Sequence, residues 1–209
     1  MSFNFADVST TGWIAVGALA ALAVVLLVIA RGRVRWTARM IANAALCLAL
    51  AFVLSYIKLF DLPQGGAVTA ASLLPIIAFA YSYGLAPGLV VGVAYGLLQM
   101  IQDPWIVSPV QAILDYPLAF ACIALAAVAR KLPDSWGWLA GIALGGVGRF
   151  VCHVLSGVVF FAEYAEGTGM SPFVYSVSYN SFVFVDLAIC AVVMAFPQVR
   201  RALKKMTER

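Results

Sequence analysis

Long apolar runs broken by short polar segments recur along the whole chain. Several of them approach the roughly 20 residues that a helix needs to cross the hydrocarbon core of a bilayer. The runs lack the alternating pattern of a membrane barrel, and a spanning helix satisfies its own backbone hydrogen bonds. We therefore predict an all-α, polytopic membrane protein with seven spans. Their approximate bounds are 13–30, 41–57, 67–81, 88–101, 110–129, 138–161 and 173–196.

The distribution of basic residues predicts the orientation of these spans. Positive charge collects in the cytoplasmic loops of membrane proteins. If the loop after the first span is cytoplasmic, alternation places every basic residue except Lys58 and Arg149 on that side. We therefore expect the N-terminus outside and the C-terminus in the cytoplasm. The first run is long for a cleaved signal and no base precedes it, so we expect it to be a retained helix.

Composition supports this interpretation and narrows the function. The 209 residues are 64% hydrophobic and 11% charged, with a mean hydropathy of +1.01. A soluble domain is about half apolar and about a quarter charged. These values exclude a soluble globular protein, a disordered chain and a basic nucleic-acid binder. We expect a lipid bilayer around the chain, no nucleic-acid partner, and any ATPase on another chain.

Motifs of catalysis and metal binding are missing from the sequence. It has no P-loop, no H-E-x-x-H, no G-x-S-x-G and no His/Cys/Asp cluster with metal-ligand spacing. Ser156 lies only three residues from His153 on one helix, which is a poor nucleophile arrangement. The four cysteines lie in apolar stretches without a C-x-x-C pair and are expected to be small core residues. We predict a binding or transport protein, not an enzyme, with no metal and no cofactor.

Four ionisable residues lie at membrane depth, where charge is costly and therefore a sign of function. They are Asp115, Asp186, Arg149 and His153, the last two sharing a helix face at a spacing of four. Three of the four lie in the half of the bundle that is predicted to face outside, and Asn180 and several aromatic residues lie at a similar depth. A carboxylate, an imidazole, an amide and aromatic rings suit a flat, cationic heteroaromatic ligand.

Structural alternatives stay open for the same residues. His153 alone is also typical of a hydrogen bond between helices, and Asp115 can pair with Arg149 as structural glue. Aromatic side chains near the interface are often membrane anchors. Asp186 lies deeper than Asp115 and is expected to pair with a basic or hydroxyl group for packing.

Several segments resemble the thiamine-specific S-components of energy-coupling-factor (ECF) transporters. They are L-P-Q-G-G-A-V-T-A-A-S-L-L-P-I at 62–76, D-P-W-I-V-S-P-V-Q-A-I-L-D-Y-P-L-A-F at 103–120, H-V-L-S-G-V-V-F-F-A-E-Y-A at 153–165 and Y-S-V-S-Y-N at 175–180. The resemblance covers roughly residues 40–196 in the family's order. It implies a six-helix core in a bacterial plasma membrane, which binds thiamine and works with a transmembrane coupling subunit and two ATPases.

The resemblance also implies roles for particular residues. Asp115 would face the thiazolium ring with Tyr116 beside it, and Gly157 would let the ligand approach its helix closely. The groups that recognise the ligand rings would be His153, Tyr175 and Asn180. The aromatic walls would be Trp105 and Phe161. The small residues Ala45 and Ala49 would contact the coupling subunit, although ordinary packing within the chain is an alternative.

The chain departs from the family pattern in ways that leave the ligand open. It carries Asp115 where some members have glutamate, glycine near position 66 where some have tryptophan, and Phe161 where tryptophan can occur.

We expect three regions: an extra transmembrane helix with a basic loop (1–36), the six-helix substrate-binding domain (37–198) and a basic tail (199–209). Three alternative functions stay open. The chain could be an S-component for a pyrimidine or thiazole precursor or for another vitamin such as riboflavin. It could also be a solitary secondary carrier that is proton-coupled through His153 or Asp186, or an intramembrane enzyme with His153 as base.

Overall fold

The computed structural model describes residues 34–133 and 135–207, together with Gly17. The predicted span 13–30 and most of the region 1–36 lie outside these residues. Within the described part, five helices are long and apolar enough to cross a membrane. They correspond to the predicted spans 41–57, 88–101, 110–129, 138–161 and 173–196.

In the described part of the chain, which also has short 3₁₀ helices at Pro63–Gly65 and Ala162–Ala165, eight helices and two strands follow one another. They are α1 (Ala38–Ser55), β1 (Lys58–Asp61), β2 (Ala67–Thr69), α2 (Leu74–Tyr83), α3 (Leu85–Gln102), α4 (Pro109–Lys131), α5 (Gly137–Phe160), α6 (Pro172–Asn180), α7 (Phe182–Ala195) and α8 (Pro197–Thr207). Helices α6 and α7 form one membrane span, Pro172–Ala195, which is interrupted at Ser181.

The prediction of a helix over 67–81 is wrong in its first half. Residues Ala67–Thr69 form a strand that pairs antiparallel with β1, and α2 begins only at Leu74. Its ten residues extend about 15 Å, roughly half of the hydrocarbon core. A turn with left-handed backbone at Gln64 and Gly65 folds β1 back onto β2. The backbone N–H of Thr69 then donates to a buried carboxylate of Asp186, which holds the segment extended.

Helix α4 is irregular where the candidate site residues lie. After a regular turn at Pro109–Ile113, residues Leu114–Leu118 form a π-helical turn that contains Pro117, and the helix ends as a 3₁₀ helix over Cys122–Lys131. Proline has no backbone N–H and clashes with the preceding turn, so it disfavours regular α-helix. Wide π turns are frequent at functional sites because they re-aim side chains. Asp115 and Tyr116 belong to this turn.

Glycines on the neighbouring helices fix the position of α4. A Cβ on Gly92 or Gly96 of α3 would lie 2.5 Å from the backbone oxygen of Phe120 or Tyr116. A Cβ on Gly145 of α5 would lie 2.9 Å from the backbone oxygen of Ile123. Only glycine allows this close backbone approach. The π turn is thereby clamped between α3 and α5.

The two ends of the bundle differ in charge. We call the end with Arg39, Arg130 and helix α8 the basic end, and the end with the β1–β2 hairpin the pocket end. At the basic end, α8 packs its buried Leu203 into the core, and Arg39 donates to the backbone oxygen of Lys205 (2.6 Å). Helix α8 therefore crosses the predicted boundary between the regions 37–198 and 199–209.

Candidate functional site

A single cleft at the pocket end brings the predicted ligand-binding residues together. The ends of α1 and α3, the helices α4, α5, α6 and α7, the hairpin and the loop 103–108 supply its walls. All eight residues that sequence analysis assigned to the ligand line this cleft: Trp105, Asp115, Tyr116, His153, Gly157, Phe161, Tyr175 and Asn180.

The carboxylate of Asp115 lies in the wall formed by α4 and α5 and has three hydrogen-bond partners, an amide, a hydroxyl and an imidazole. Its Oδ2 accepts from Gln111 Nε2 and from Ser156 Oγ, each at 2.6 Å. Its Oδ1 lies 3.0 Å from Nδ1 of His153. Arg149 is not a direct partner, so the alternative of an Asp115–Arg149 pair is wrong. Among the residues that the structure describes, no lysine or arginine contacts the Asp115 carboxylate.

A chain of polar contacts runs from Asp115 into the protein core. Beyond His153, the ring Nε2 accepts from Arg149 Nε at 3.1 Å. The guanidinium of Arg149 then contacts Asp186 Oδ2 at 3.3 Å and lies 4.8 Å from the ring centre of Phe120. Asp186 Oδ1 accepts from the backbone N–H of Thr69 at 2.8 Å. The hydroxyl of Thr69 also donates to Asp186 Oδ1 at 3.3 Å, so the expected pairing of Asp186 with a basic or hydroxyl group is present.

The charges of the cleft do not balance. Two opposite pairs cancel: Arg149 with Asp186 in the core, and Lys58 with Asp103 at the rim. Asp115 remains, and every contact that it makes is to a neutral donor if His153 is uncharged. An isolated charge in a partly dry site is costly unless a ligand compensates it. The cleft therefore favours a ligand with one positive charge.

Aromatic rings form the walls on either side of this charge. The hydroxyl of Tyr116 accepts from the backbone N–H of Trp105 (2.7 Å) and donates to the backbone oxygen of Asp103 (3.1 Å), which fixes the loop 103–108 against α4. On the opposite side, the rings of Tyr175 and Tyr179 are nearly parallel, with centres 6.5 Å apart. Flat aromatic faces at this spacing offer stacking and cation–π contacts to a heteroaromatic ligand.

The hairpin turn closes over the mouth of the cleft. Gln64 Nε2 lies 3.3 Å from the hydroxyl of Tyr175, and Tyr179 contacts the backbone of Pro63 and Gly66 through its hydroxyl. A Cβ on Gly66 would lie 2.8 Å from that hydroxyl. Gly66 is the glycine that departs from the family pattern. The space that a side chain at this position would need is occupied by Tyr179, which reaches it from across the cleft.

The rim carries the most exposed charges of the site. Lys58 Nζ contacts Asp103 Oδ2 at 2.7 Å and Asp61 Oδ1 at 3.0 Å. These two carboxylates, Asp103 first, raise the pKa of Lys58 above its usual value. Lys58 is accordingly charged throughout the neutral pH range and ties the hairpin to the end of α3.

Two further predicted residues lie where α5 meets α6. A Cβ on Gly157 would lie 2.1 Å from Ser176 Oγ, so the close approach at this glycine is that of helix α6. Its predicted approach to a ligand stays a prediction. Asn180 Nδ2 donates to the backbone oxygens of Ser176 (2.9 Å) and His153 (3.3 Å). The Oδ1 of this amide remains as an acceptor for a ligand.

Sequence analysis did not assign Gln111, Ser156, Phe120 or Phe182 to the cleft. The signal for Gln111 was available, because it precedes Asp115 by four residues and so shares its helix face. The sequence excludes Ser156 as a nucleophile but does not predict that its hydroxyl donates to Asp115. Ala45 and Ala49 lie on the exposed face of α1, outside the cleft.

The chain is similar in sequence to known thiamine transporters. The family model described as Thiamine transporter protein (Thia_YuaJ) matches residues 41–206. The thiamine transporter ThiT of Bacillus subtilis (strain 168) is 30% identical over 180 residues, which cover 77% of this chain and 93% of the relative. ThiT of Lacticaseibacillus paracasei is 30% identical over 159 residues, which cover 67% of this chain and 76% of the relative.

Solved structures show the same fold. ThiT from Listeria monocytogenes superimposes with a TM-score of 0.69 at 24% identity, covering 80% of this chain and 96% of that chain. A structure described as the S component of a bacterial ECF transporter superimposes with a TM-score of 0.52 at 20% identity, covering 81% and 98%. The arrangement of helices is therefore that of a multi-pass membrane protein of this kind.

Proposed function

The chain belongs to the thiamine transporter (Thia_YuaJ) family, and on this premise we propose that it is the substrate-binding membrane subunit of an ECF-type vitamin transporter. Its ligand is thiamine, which it binds without converting it. The relatives from B. subtilis and L. paracasei are thiamine transporters by name. The family resemblance derived from the segments 62–76, 103–120, 153–165 and 175–180 agrees with the family match.

The observation that carries the proposal is the uncompensated carboxylate of Asp115 between aromatic walls. Thiamine joins a positively charged thiazolium to a neutral aminopyrimidine. The thiazolium would lie against Asp115 and Tyr116, because the carboxylate offsets its charge and the ring face adds a cation–π contact. The aminopyrimidine offers a donor and ring-nitrogen acceptors to the amide of Asn180 and to the hydroxyl of Tyr175.

Orientation and partners complete the proposal. The pocket end faces outside and the basic end faces the cytoplasm, in agreement with the positive-inside rule. Delivery inward requires a transmembrane coupling subunit and two ATPase subunits on other chains. Ala45 and Ala49 are the proposed contact with the coupling subunit, since small exposed residues on α1 let another helix approach closely.

The binding experiment titrates thiamine into the detergent-purified chain by calorimetry, without nucleotide. We expect saturable one-to-one binding, and Asp115→Asn should raise the dissociation constant by at least about tenfold, because a desolvated cation loses its counter-charge. Asp61→Asn is the matched control, since that carboxylate lies outside the cleft. Full-strength binding by a folded Asp115→Asn variant would contradict the site, and no binding by the folded wild type would contradict the ligand.

Competition and transport measurements separate the alternatives. Displacement of labelled thiamine by a hydroxymethylpyrimidine, a thiazole or riboflavin with higher affinity would assign the chain to a precursor or another vitamin. Thiamine uptake into vesicles that contain this chain alone would indicate a solitary carrier. We expect uptake only with the coupling and ATPase subunits. Ala49→Leu should abolish that uptake and leave thiamine binding unchanged.

A further inference from the structure

The cleft contains a buried arginine close to Asp115, the carboxylate that is proposed to face the positively charged ligand. Arg149 is buried on α5, one turn before His153, and its Nε donates to His153 Nε2 at 3.1 Å. We propose that Arg149 is a positioning residue that holds His153 as the neutral Nδ1–H tautomer and thereby preserves the negative charge facing the ligand. The proposal rests on the proposed function only for its effect on thiamine.

The tautomer follows from the hydrogen bonds on both sides of the ring. Which imidazole nitrogen carries the proton is set by the bond that the other nitrogen makes. Arginine is always a donor, so His153 Nε2 must present its lone pair to Arg149 Nε. The single proton of the ring then lies on Nδ1, 3.0 Å from Asp115 Oδ1, and is donated to that carboxylate.

This arrangement excludes an imidazolium at position 153. A doubly protonated ring has no lone pair for Arg149, so the contact exists only with neutral histidine. An imidazolium beside Asp115 would cancel the charge that attracts a cationic ligand. The guanidinium thus keeps its neighbour neutral, although it carries positive charge itself.

Asp186 makes the cation acceptable so close to the site. Its Oδ2 lies 3.3 Å from Arg149 Nη1, and its Oδ1 is fixed by the backbone N–H of Thr69 at 2.8 Å. Arg149 therefore contributes no net charge to the cleft. The side-chain exposures of 10% for Arg149 and 2% for Asp186 show that both groups are removed from solvent. A lysine has only one nitrogen and cannot serve His153 and Asp186 in the same way as the forked guanidinium.

The chain has one histidine, which makes the tautomer directly measurable. The full chain is produced with ¹⁵N-histidine and a purification tag free of histidine, and nitrogen NMR spectra are recorded without thiamine. We expect a protonated, pyrrole-type signal for Nδ1 and an unprotonated, pyridine-type signal for Nε2. A protonated Nε2 in the wild type, either as the other tautomer or as imidazolium, would overturn the proposal.

Variants test whether Arg149 is the cause. Since Arg149→Met alone leaves Asp186 buried without a partner, the pair is replaced together by Arg149→Met with Asp186→Leu, which keeps the core neutral. We expect the pyridine-type Nε2 signal to be lost, and the dissociation constant for thiamine to rise by at least about tenfold because the donor to Asp115 is no longer fixed. Arg149→Lys should lie between the wild type and the double variant, and Arg130→Met at the basic end is the control.

The readouts separate this inference from the proposed function. An unchanged Nε2 signal in the folded double variant would overturn the role of Arg149, whatever the ligand. A wild type with the expected tautomer that fails to bind thiamine would contradict the ligand and support the inference about His153.

Discussion

Two carboxylates, Asp186 buried and Asp115 half-buried, line the same cleft and have opposite surroundings. Asp186 on α7 contacts the guanidinium of Arg149 and the backbone of Thr69, and its side chain is 2% exposed. Asp115 on α4 contacts only neutral donors if His153 is neutral, and its side chain is 15% exposed. Burial of a carboxylate therefore does not by itself identify a ligand site. The charge of its partners decides whether it is a structural group or a counter-ion for a ligand.

The local backbone explains this difference. Asp186 lies on a regular helix beneath the hairpin, where the N–H of Thr69 and the guanidinium of Arg149 converge on it. Asp115 lies in the π turn that contains Pro117, which directs its side chain between α4 and α5 toward the cleft. We infer that Asp186 serves folding and Asp115 serves binding, and the following variants test that division.

The largest effect is expected from neutralising the structural carboxylate. Asp186→Asn leaves Arg149 buried without a counter-charge and should lower the free energy of unfolding by about 3–5 kcal/mol. Asp115→Asn loses only bonds from neutral groups and should cost about 1–3 kcal/mol. Denaturation with sodium dodecyl sulfate in mixed micelles measures both. Equal destabilisation by the two variants would remove the distinction.

An intermediate effect is expected from moving the binding carboxylate without removing its charge. Asp115→Glu lengthens the side chain by one methylene and disturbs the contacts with Gln111 and Ser156. Because the charge remains, we expect thiamine affinity to fall by less than about tenfold, a smaller loss than in Asp115→Asn. Calorimetry compares the two. A glutamate variant as weak as the asparagine variant would show that exact placement outweighs charge.

The smallest effect is expected at the exposed rim. Lys58→Met removes two ion pairs that are each worth about 1 kcal/mol or less, and it leaves Asp61 and Asp103 unpaired. The mouth becomes more negative, so thiamine should associate slightly faster at low ionic strength and at the same rate in high salt. Stopped-flow tryptophan fluorescence measures this rate. A slower association at low salt would contradict the sign.

The stability that Lys58 contributes through its two ion pairs at the rim depends on pH in a defined way. The pKa of Lys58 is raised in the folded protein by Asp103 and Asp61. The stabilisation that it contributes is therefore fully present below the unfolded lysine pKa of about 10.4 and is lost as the pH rises through the folded value. We expect no change from this group between pH 6 and 9.

The amino-acid sequence predicts the long helices and the membership of the cleft. Hydropathy is enough to place the five long spans, and the four-residue spacing of Arg149 and His153 predicts that they share a helix face. The position of each residue within its predicted span also places Asp115, His153 and Asn180 at a similar depth in the membrane. The family resemblance adds the thiamine ligand and the aromatic residues of the walls.

The sequence does not predict which buried polar side chains pair with one another. Asp115 and Asp186 are equally plausible partners for Arg149 until the packing of α4, α5 and α7 is known. The strand at Ala67–Thr69 has an apolar composition that also suits the start of a helix. Its extended state depends on pairing with Lys58–Asp61 and on the bond from Thr69 to Asp186, both of which join residues distant along the chain.

The measurement that tests the central claim most directly compares two ligands that differ only in charge. Thiamine and its neutral deaza isostere, in which carbon replaces the charged ring nitrogen, are titrated into the wild type and into Asp115→Asn. We predict that Asp115→Asn raises the dissociation constant of thiamine by at least about tenfold and that of the isostere by less than about threefold, since only thiamine loses a counter-charge. Equal weakening of both ligands would contradict the claim that Asp115 recognises the positive charge.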